Sequence, residues 1–283
     1  MKIAVTAASG QLGGAIITEA IRQMGSKQVI GIARNPEKAA HLGIEVRQGD
    51  YHSREMYEKA LEGIDVVLLV SGLDTPDRRI EQHRNVIIAA RTAGVRKLVY
   101  TSIFGEPGKG AFDPIIKANR QTEKDVMDSG LDWSIGRNGL YLEADLEYLD
   151  HYLKDGKITN CAGEGRCAYT TRDALAVAYM EMITRDDLNG SVYNLVGESI
   201  TQQELVDAIN LVYGSDLKYE SLGVEEYLRE RIAAHGEVFG TIIAGICEGI
   251  RKGAFEVASD YRKVTGRDHL SVAENINRYK LNL

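Results

Sequence analysis

No Cys-x-x-Cys pair occurs among the three cysteines, Cys161, Cys167 and Cys247, and their number is odd. That fits free thiols in a reducing compartment better than a disulfide framework. Only four prolines punctuate the 283 residues, and neither an internal repeat nor a low-complexity tract supplies a linker, so the parts of the chain are expected to pack tightly. A basic surplus is missing too. The net charge is -7, which leaves little to neutralise a phosphate backbone and argues against nucleic acid as a partner. The longest nearly uncharged stretch, residues 238–247, is about half of the ~20 residues that span a bilayer, so no membrane segment is expected. The first strand-like residues begin at Ile3 with no charged-then-apolar segment before them, and a cytoplasmic protein is expected. What is present, 44% apolar and 27% charged residues, suits a soluble chain with a sizeable core.

Short apolar runs alternate with amphipathic stretches through the first half. Strands are expected at residues 3–6, 28–33, 45–48, 66–70, 97–101 and 133–136, with helices at 12–24, 54–61, 79–92 and 116–127. Such alternation builds an α/β fold, a doubly wound parallel sheet. After Asn138 the rhythm changes to an aromatic and acidic stretch at 141–153, then a strand and helix through Ile183 and a further strand at 192–196. From Thr201 onward the pattern is mainly helical, opened by a Thr201-x-x-Glu204 capping box. Residues 1–138 therefore read as a Rossmann domain, with part of 157–196 returning to it. Residues 139–283 read as a smaller, interleaved substrate part over the carboxyl ends of the strands.

The strongest chemical feature joins the first strand to the first helix: Thr6-Ala7-Ala8-Ser9-Gly10-Gln11-Leu12-Gly13-Gly14. A dinucleotide pyrophosphate needs open backbone N–H groups at a helix start and no side chain in its way, which Gly10 and Gly13 provide. Ala7 replaces the usual first glycine, so a negative φ or a relaxed turn is expected there. The second strand ends at Ala33 and is followed by Arg34, with no acidic residue to hold a ribose 2′-hydroxyl. A guanidinium there suits a 2′-phosphate, with Lys38 as a second charge, so NADP(H) is expected in preference to NAD(H). Asp50, Ser71 with Gly72, and Thr101 with Ser102 stand at later strand ends and would border adenine and nicotinamide.

These residues, with Ala33-Arg34-Asn35-Pro36-Glu37-Lys38, Gly49-Asp50-Tyr51, Gln82-His83-Arg84-Asn85-Val86 and Ala93-Gly94-Val95, resemble the NmrA-like branch of the short-chain dehydrogenase/reductase superfamily. Tyr100-Thr101-Ser102, Arg137-Asn138-Gly139-Leu140-Tyr141, Thr170-Thr171-Arg172-Asp173 and Tyr193-Asn194-Leu195-Val196 extend the resemblance over nearly the full chain. Within that branch it is most similar to bacterial NAD(P)H:quinone oxidoreductases and triphenylmethane dye reductases. The resemblance implies NADP(H) held by Gly10, Gly13 and Arg34. The branch also holds a non-catalytic, dinucleotide-sensing regulator, so two functions stand open: a reductase of a small planar acceptor, and an NADP(H) sensor that binds a protein partner. A homodimer is a further expectation.

One absence separates reaction classes. No tyrosine stands four residues before a lysine anywhere in the chain, so the superfamily's Tyr/Lys acid is missing. Its register falls near Ile115 and Asn119, which cannot titrate. A ketone reductase must protonate an alkoxide with a pKa near that of water, about 15.7, and needs a positioned donor. Hydride addition to a quinone leaves a phenolate-type anion, nearer tyrosine at about 10, which water protonates. A triarylmethane cation is simply neutralised. Such chemistry needs a flat acceptor held roughly 3 to 3.5 Å from the nicotinamide with water excluded. Phe104, Asn138 and Tyr141 are the expected pocket wall. Asn138 reads either as an oxyanion donor or as an asparagine closing a turn before Gly139, and Tyr141 either as a stacking platform or as an amphipathic residue at the domain seam.

The six histidines form no His-x-x-x-His pair and no cluster with the cysteines, so no metal is expected. Gly236 and Gly240, then Gly245 and Gly249, are spaced four apart, and either close helix packing or a weakened, lid-like helix would use that spacing.

Overall fold

The structure, a computed structural model, describes residues 1–281. Apolar and amphipathic segments alternate as β1 (Ile3–Val5), α1 (Gln11–Met24), β2 (Val29–Ala33), β3 (Glu45–Gln48), α2 (Arg54–Ala60), β4 (Val66–Val70), α3 (Pro76–Thr92), β5 (Lys97–Ile103), α4 (Asp113–Met127) and β6 (Asp132–Asn138). The chain continues through β7 (Leu140–Tyr141), α5 (Leu142–Leu146), α6 (Leu149–Asp155), β8 (Lys157–Asn160), β9 (Arg166–Thr170), α7 (Arg172–Thr184) and β10 (Ser191–Leu195). It ends with β11 (Ser199–Thr201), α8 (Gln202–Tyr213), β12 (Lys218–Ser221), α9 (Val224–Arg251), α10 (Tyr261–Thr265) and α11 (Val272–Leu281).

Seven strands form one sheet in the order β10-β6-β5-β4-β1-β2-β3, and every pairing in it is parallel. β1, β2 and β4 are buried along their whole length because helices cover both faces of the sheet. Ile16 and Ile17 of α1 share one core with Leu175 and Tyr179 of α7. Tyr57, Val86 and Val126 of α2, α3 and α4 belong to the core on the opposite face. β3 is the more exposed edge strand. This is the doubly wound Rossmann arrangement, and its order reverses between β1 and β4. Sheets of this kind bind ligands at the carboxyl edge above such a reversal.

The later residues build a second core, with Leu142, Ile158, Leu205, Ile209 and Ile276 among its members, around a β11-β9-β7 sheet and a β12-β8 pair. β10 and α7 return to the first part, while the capping box of Thr201 and Glu204 opens α8. Among the described residues no helix is long and apolar enough to cross a membrane. The four glycines of α9 divide into two groups. A Cβ on Gly240, Gly245 or Gly249 would come within 2.5 Å of Ile232, 2.8 Å of Phe112 or 2.7 Å of Phe255, so close packing accounts for these three. A Cβ on Gly236 would meet nothing within 4 Å, and this residue bends the helix at φ 79°, so it does not share a regular helix face with Gly240.

Candidate cofactor and substrate site

After β1 the chain turns at Ala7 with φ +50°, and the Ala7 carbonyl accepts the Gly10 N–H at 2.8 Å. The negative φ or relaxed turn expected for this alanine is not what forms. Neighbours on both sides hold the turn: the Ala8 N–H donates to Ile32 of β2 at 3.0 Å, and α1 is pressed so close that a Cβ on Gly13 would lie 2.4 Å from the Ala7 oxygen. These contacts override the alanine's preference, at a cost of about 1 kcal/mol for a left-handed L-residue. Ala7→Gly is therefore expected to raise stability by about 0.5 kcal/mol after the added chain entropy, a gain of about 1 to 2 °C in thermal unfolding.

Gly10 begins α1 without a side-chain cap, and no acidic residue lies in the first turn. Ser9, Gly10 and Gln11 are exposed, while Ala8 and Leu12 face inward. The first N–H groups of a helix have no carbonyl of their own to bind, and they carry the positive end of the helix dipole. An uncapped, glycine-cleared start of this kind fits a pyrophosphate. Arg34 follows β2 directly and is exposed, as is Lys38 in the short turn Pro36–Leu42. Asp50, after β3, is half-buried, and its carboxylate accepts the His52 N–H at 3.0 Å.

At the carboxyl ends of β1, β4 and β5 the hydroxyls turn inward. Thr6 accepts the Val70 N–H at 2.9 Å and donates to the Tyr51 hydroxyl at 2.6 Å, which donates in turn to the Val70 carbonyl. This closed ring pins the ends of β1 and β4 together. Thr101 accepts the Ser71 N–H at 2.9 Å, and Ser71 donates to Asn119 at 3.2 Å. The Gly72 N–H donates to Nε2 of His83, whose Nδ1 lies 2.9 Å from the Thr122 hydroxyl, so the neutral ring donates from Nδ1. Burial, helped by Arg79, pushes the imidazole down to about 3 and keeps it uncharged. Ser102 donates to Glu123 at 2.6 Å. Burial alone would raise that carboxyl, but its bonds to Arg137 and the charge of Arg120 hold it low. Arg120 also binds the carbonyls of Ile103 and Gly105, so this ion cluster carries the loop holding Phe104.

At the end of β6, Asn138 pairs with Ile103 of β5 and Leu195 of β10 and is a strand residue, which corrects the turn-closing reading. Its side chain is held at both ends: the Tyr179 hydroxyl donates to Oδ1 at 2.5 Å, and Nδ2 donates to the Tyr141 hydroxyl at 3.0 Å. Asn138 therefore orients Tyr141, and the Tyr141 hydroxyl keeps its own proton to donate. Burial pushes that hydroxyl up to about 12, opposed by the Asn138 bond and by Arg172, whose guanidinium carbon lies 5.7 Å from the ring centroid. Phe104 stands alongside, half-buried, with its N–H on the Asn138 carbonyl at 2.8 Å. Arg172 binds Glu147 at 2.8 Å, and Gln11 reaches the same carboxylate at 3.4 Å, so the glycine loop is bridged to the second part of the chain.

A family model for NAD(P)H-binding proteins matches residues 7–185, more than half of the chain. The chain belongs to this NAD(P)H-binding family. Quinone oxidoreductase 2 of Escherichia coli (strain K12) is 32% identical over 283 residues, with 97% of each chain covered. The solved NADPH complex of an Escherichia coli NADPH-dependent quinone oxidoreductase superposes with a TM-score of 0.89 at 30% identity, covering 98% of this chain and 99% of that one. A Citrobacter sp. triphenylmethane reductase complexed with NADP(H) gives a TM-score of 0.89 at 32% identity, with the same coverage.

The similarity to these two reductases is the one that the motifs imply. Several residues of this family member were not legible as site residues. Tyr179 lies in α7, and only the folding of that helix onto the sheet brings its hydroxyl to Asn138. Tyr51 stood within a motif but gave no sign that it would lock Thr6. Arg172, at the start of α7, meets Glu147, just after α5, where no local spacing announces a pair.

Proposed function

We propose that this chain is an NADPH-dependent reductase that delivers hydride to a quinone or a similar planar electrophile, such as a triphenylmethane dye, without a Tyr/Lys acid. The observation that carries the reading is the Tyr141 hydroxyl, oriented by Asn138 at the carboxyl edge of the sheet. The position where the superfamily's lysine would fall holds Asn119, fully buried and engaged with Tyr100, Ser71 and the Ile115 carbonyl. The similarity to a quinone oxidoreductase and a triphenylmethane reductase supports the same reading.

The reduced nicotinamide supplies the hydride. Gly10, Gly13 and the open start of α1 hold the diphosphate, Arg34 and Lys38 the 2′-phosphate. Asp50, Ser71 and Gly72 border the adenine side, and the backbone at Thr101 and Ser102 the nicotinamide side. Phe104 and Tyr141 press on the flat acceptor. Tyr141, like any phenol, is protonated at neutral pH, with burial pushing its hydroxyl up to about 12, and it stabilises a developing oxyanion by hydrogen bonding, while water protonates the product.

Loss of reduced-nicotinamide absorbance, measured with a small quinone and with a triphenylmethane dye, tests the proposal. Turnover of either acceptor supports it, and tight NADPH binding with no turnover of either replaces it with the dinucleotide-sensing regulator. Tyr141→Phe adds a sharper expectation. It is expected to lower quinone turnover on the order of tenfold, less than a full oxyanion donor because water can substitute. It is expected to leave the cationic dye nearly unaffected, since no oxyanion forms there. Equal losses on both acceptors would remove the hydrogen-bond role.

A further inference from the structure

Cys161 follows β8, and Cys247 lies near the end of α9. The fold brings them into one apolar cluster with Tyr227 and Ala244. Cys161 is fully buried, and its sulfur lies 3.8 Å from the Ala244 carbonyl, one helical turn before Cys247. Cys247 is half-buried, with its sulfur 3.9 Å from the Tyr227 hydroxyl. The neighbouring Cys247 lowers the Cys161 thiol, while Cys161 and burial together raise that of Cys247 well above its ordinary value. Arg251 adds to this, with Nε on the Cys161 carbonyl at 2.5 Å and its charge lowering the Cys161 thiol further. One favoured thiolate beside one thiol is the arrangement of a dithiol that closes on itself. Cys167 belongs to a different cluster, and burial pushes its thiol up to about 12.

We propose that Cys161 and Cys247 are a site of reversible oxidation, at which hydrogen peroxide joins them as an intramolecular disulfide. The Cys161 thiolate attacks one peroxide oxygen, the O–O bond breaks, and a sulfenic acid and hydroxide form. The Cys247 sulfur then displaces the sulfenic oxygen as its thiol proton is lost, and the S–S bond forms. In sum, two thiols and one peroxide give one disulfide and two waters. The bridge would tie α9 to the end of β8. The same stretch of α9 packs Gly245 against Phe112 and binds the Ala111 N–H through Glu248 at 3.2 Å, so the bridge would stiffen the loop that runs on from Phe104. This site does not rest on the proposed reductase activity.

The test treats the native protein with hydrogen peroxide, then unfolds it in denaturant with N-ethylmaleimide to block remaining thiols and analyses a non-reducing digest by mass spectrometry. The expected result is loss of two of the three alkylatable thiols, a Cys161–Cys247 cross-linked peptide lighter by two hydrogens, and recovery of both thiols with dithiothreitol. Cys167→Ala should leave the cross-link intact, and Cys247→Ser should abolish it. Three blocked thiols after peroxide, a bridge involving Cys167 or a second chain, or sulfinate on one cysteine without a bridge would overturn the proposal. The wild-type digest carries the decision if a variant fails to fold.

Discussion

Gly13→Ala is expected to lower the unfolding free energy by about 3 kcal/mol and to weaken NADPH binding by more than about a hundredfold. The added methyl would stand 2.4 Å from the Ala7 oxygen, 2.9 Å from the Ala7 carbonyl carbon and 3.1 Å from the Thr6 oxygen. All three are backbone atoms of a turn already held in the left-handed region, so no side chain can swing aside. Relief requires α1 to lift from β1, which moves the very N–H groups that would face the diphosphate. Gly14→Ala is the control. Its nearest new contact is the Ala8 oxygen at 3.9 Å, an ordinary van der Waals distance. Alanine there gains up to about 1 kcal/mol in helix propensity. Thermal unfolding and NADPH titration of the two variants separate a packing requirement from a general dislike of substitution. Similar behaviour of both would refute the account of Gly13.

Arg34→Ala is expected to weaken NADPH by about a hundredfold while NADH changes little. Two charge-assisted bonds to a 2′-phosphate, at ~1.5 kcal/mol each, correspond to about that factor. Their full strength is reachable because Arg34 is exposed at the tip of β2 and does not first have to leave a partner carboxylate among the described residues. Arg34→Lys should keep part of the selectivity, since a point charge replaces a planar fork. Parallel titrations with the two reduced cofactors decide the matter, and equal losses would move the phosphate contact elsewhere, with Lys38 the next residue to test.

The strand positions were legible because apolar runs buried on two faces leave a strong local signal. Residues 66–70, buried on both faces, form a strand with the expected bounds, and so do residues 45–48, although that edge strand is polar and mostly exposed. β5 and β6 run further than expected because each supplies the other's ladder, through Ser102 with Arg137 and Ile103 with Asn138. That pairing, not any local propensity, makes Asn138 a strand residue. The glycine loop was legible for a similar reason: it sits between a strand and a helix, and its chemistry uses backbone, which glycine spacing reports. Hydroxyl-bearing residues carried no such message. Thr6, Thr101 and Ser102 occupy the expected strand ends, yet their side chains bind Tyr51, Ser71 and Glu123 inside the protein.

Fold class, the glycine turn that opens α1 and the position of a cation after β2 were therefore written in short-range pattern, because periodicity and backbone freedom act within a few residues. The conformation of Ala7, the orientation of Asn138 by Tyr179 and the meeting of Cys161 with Cys247 were decided by tertiary structure. Each depends on partners distant in sequence, and side-chain direction is set by what packs and hydrogen-bonds around it rather than by where the residue stands in the chain.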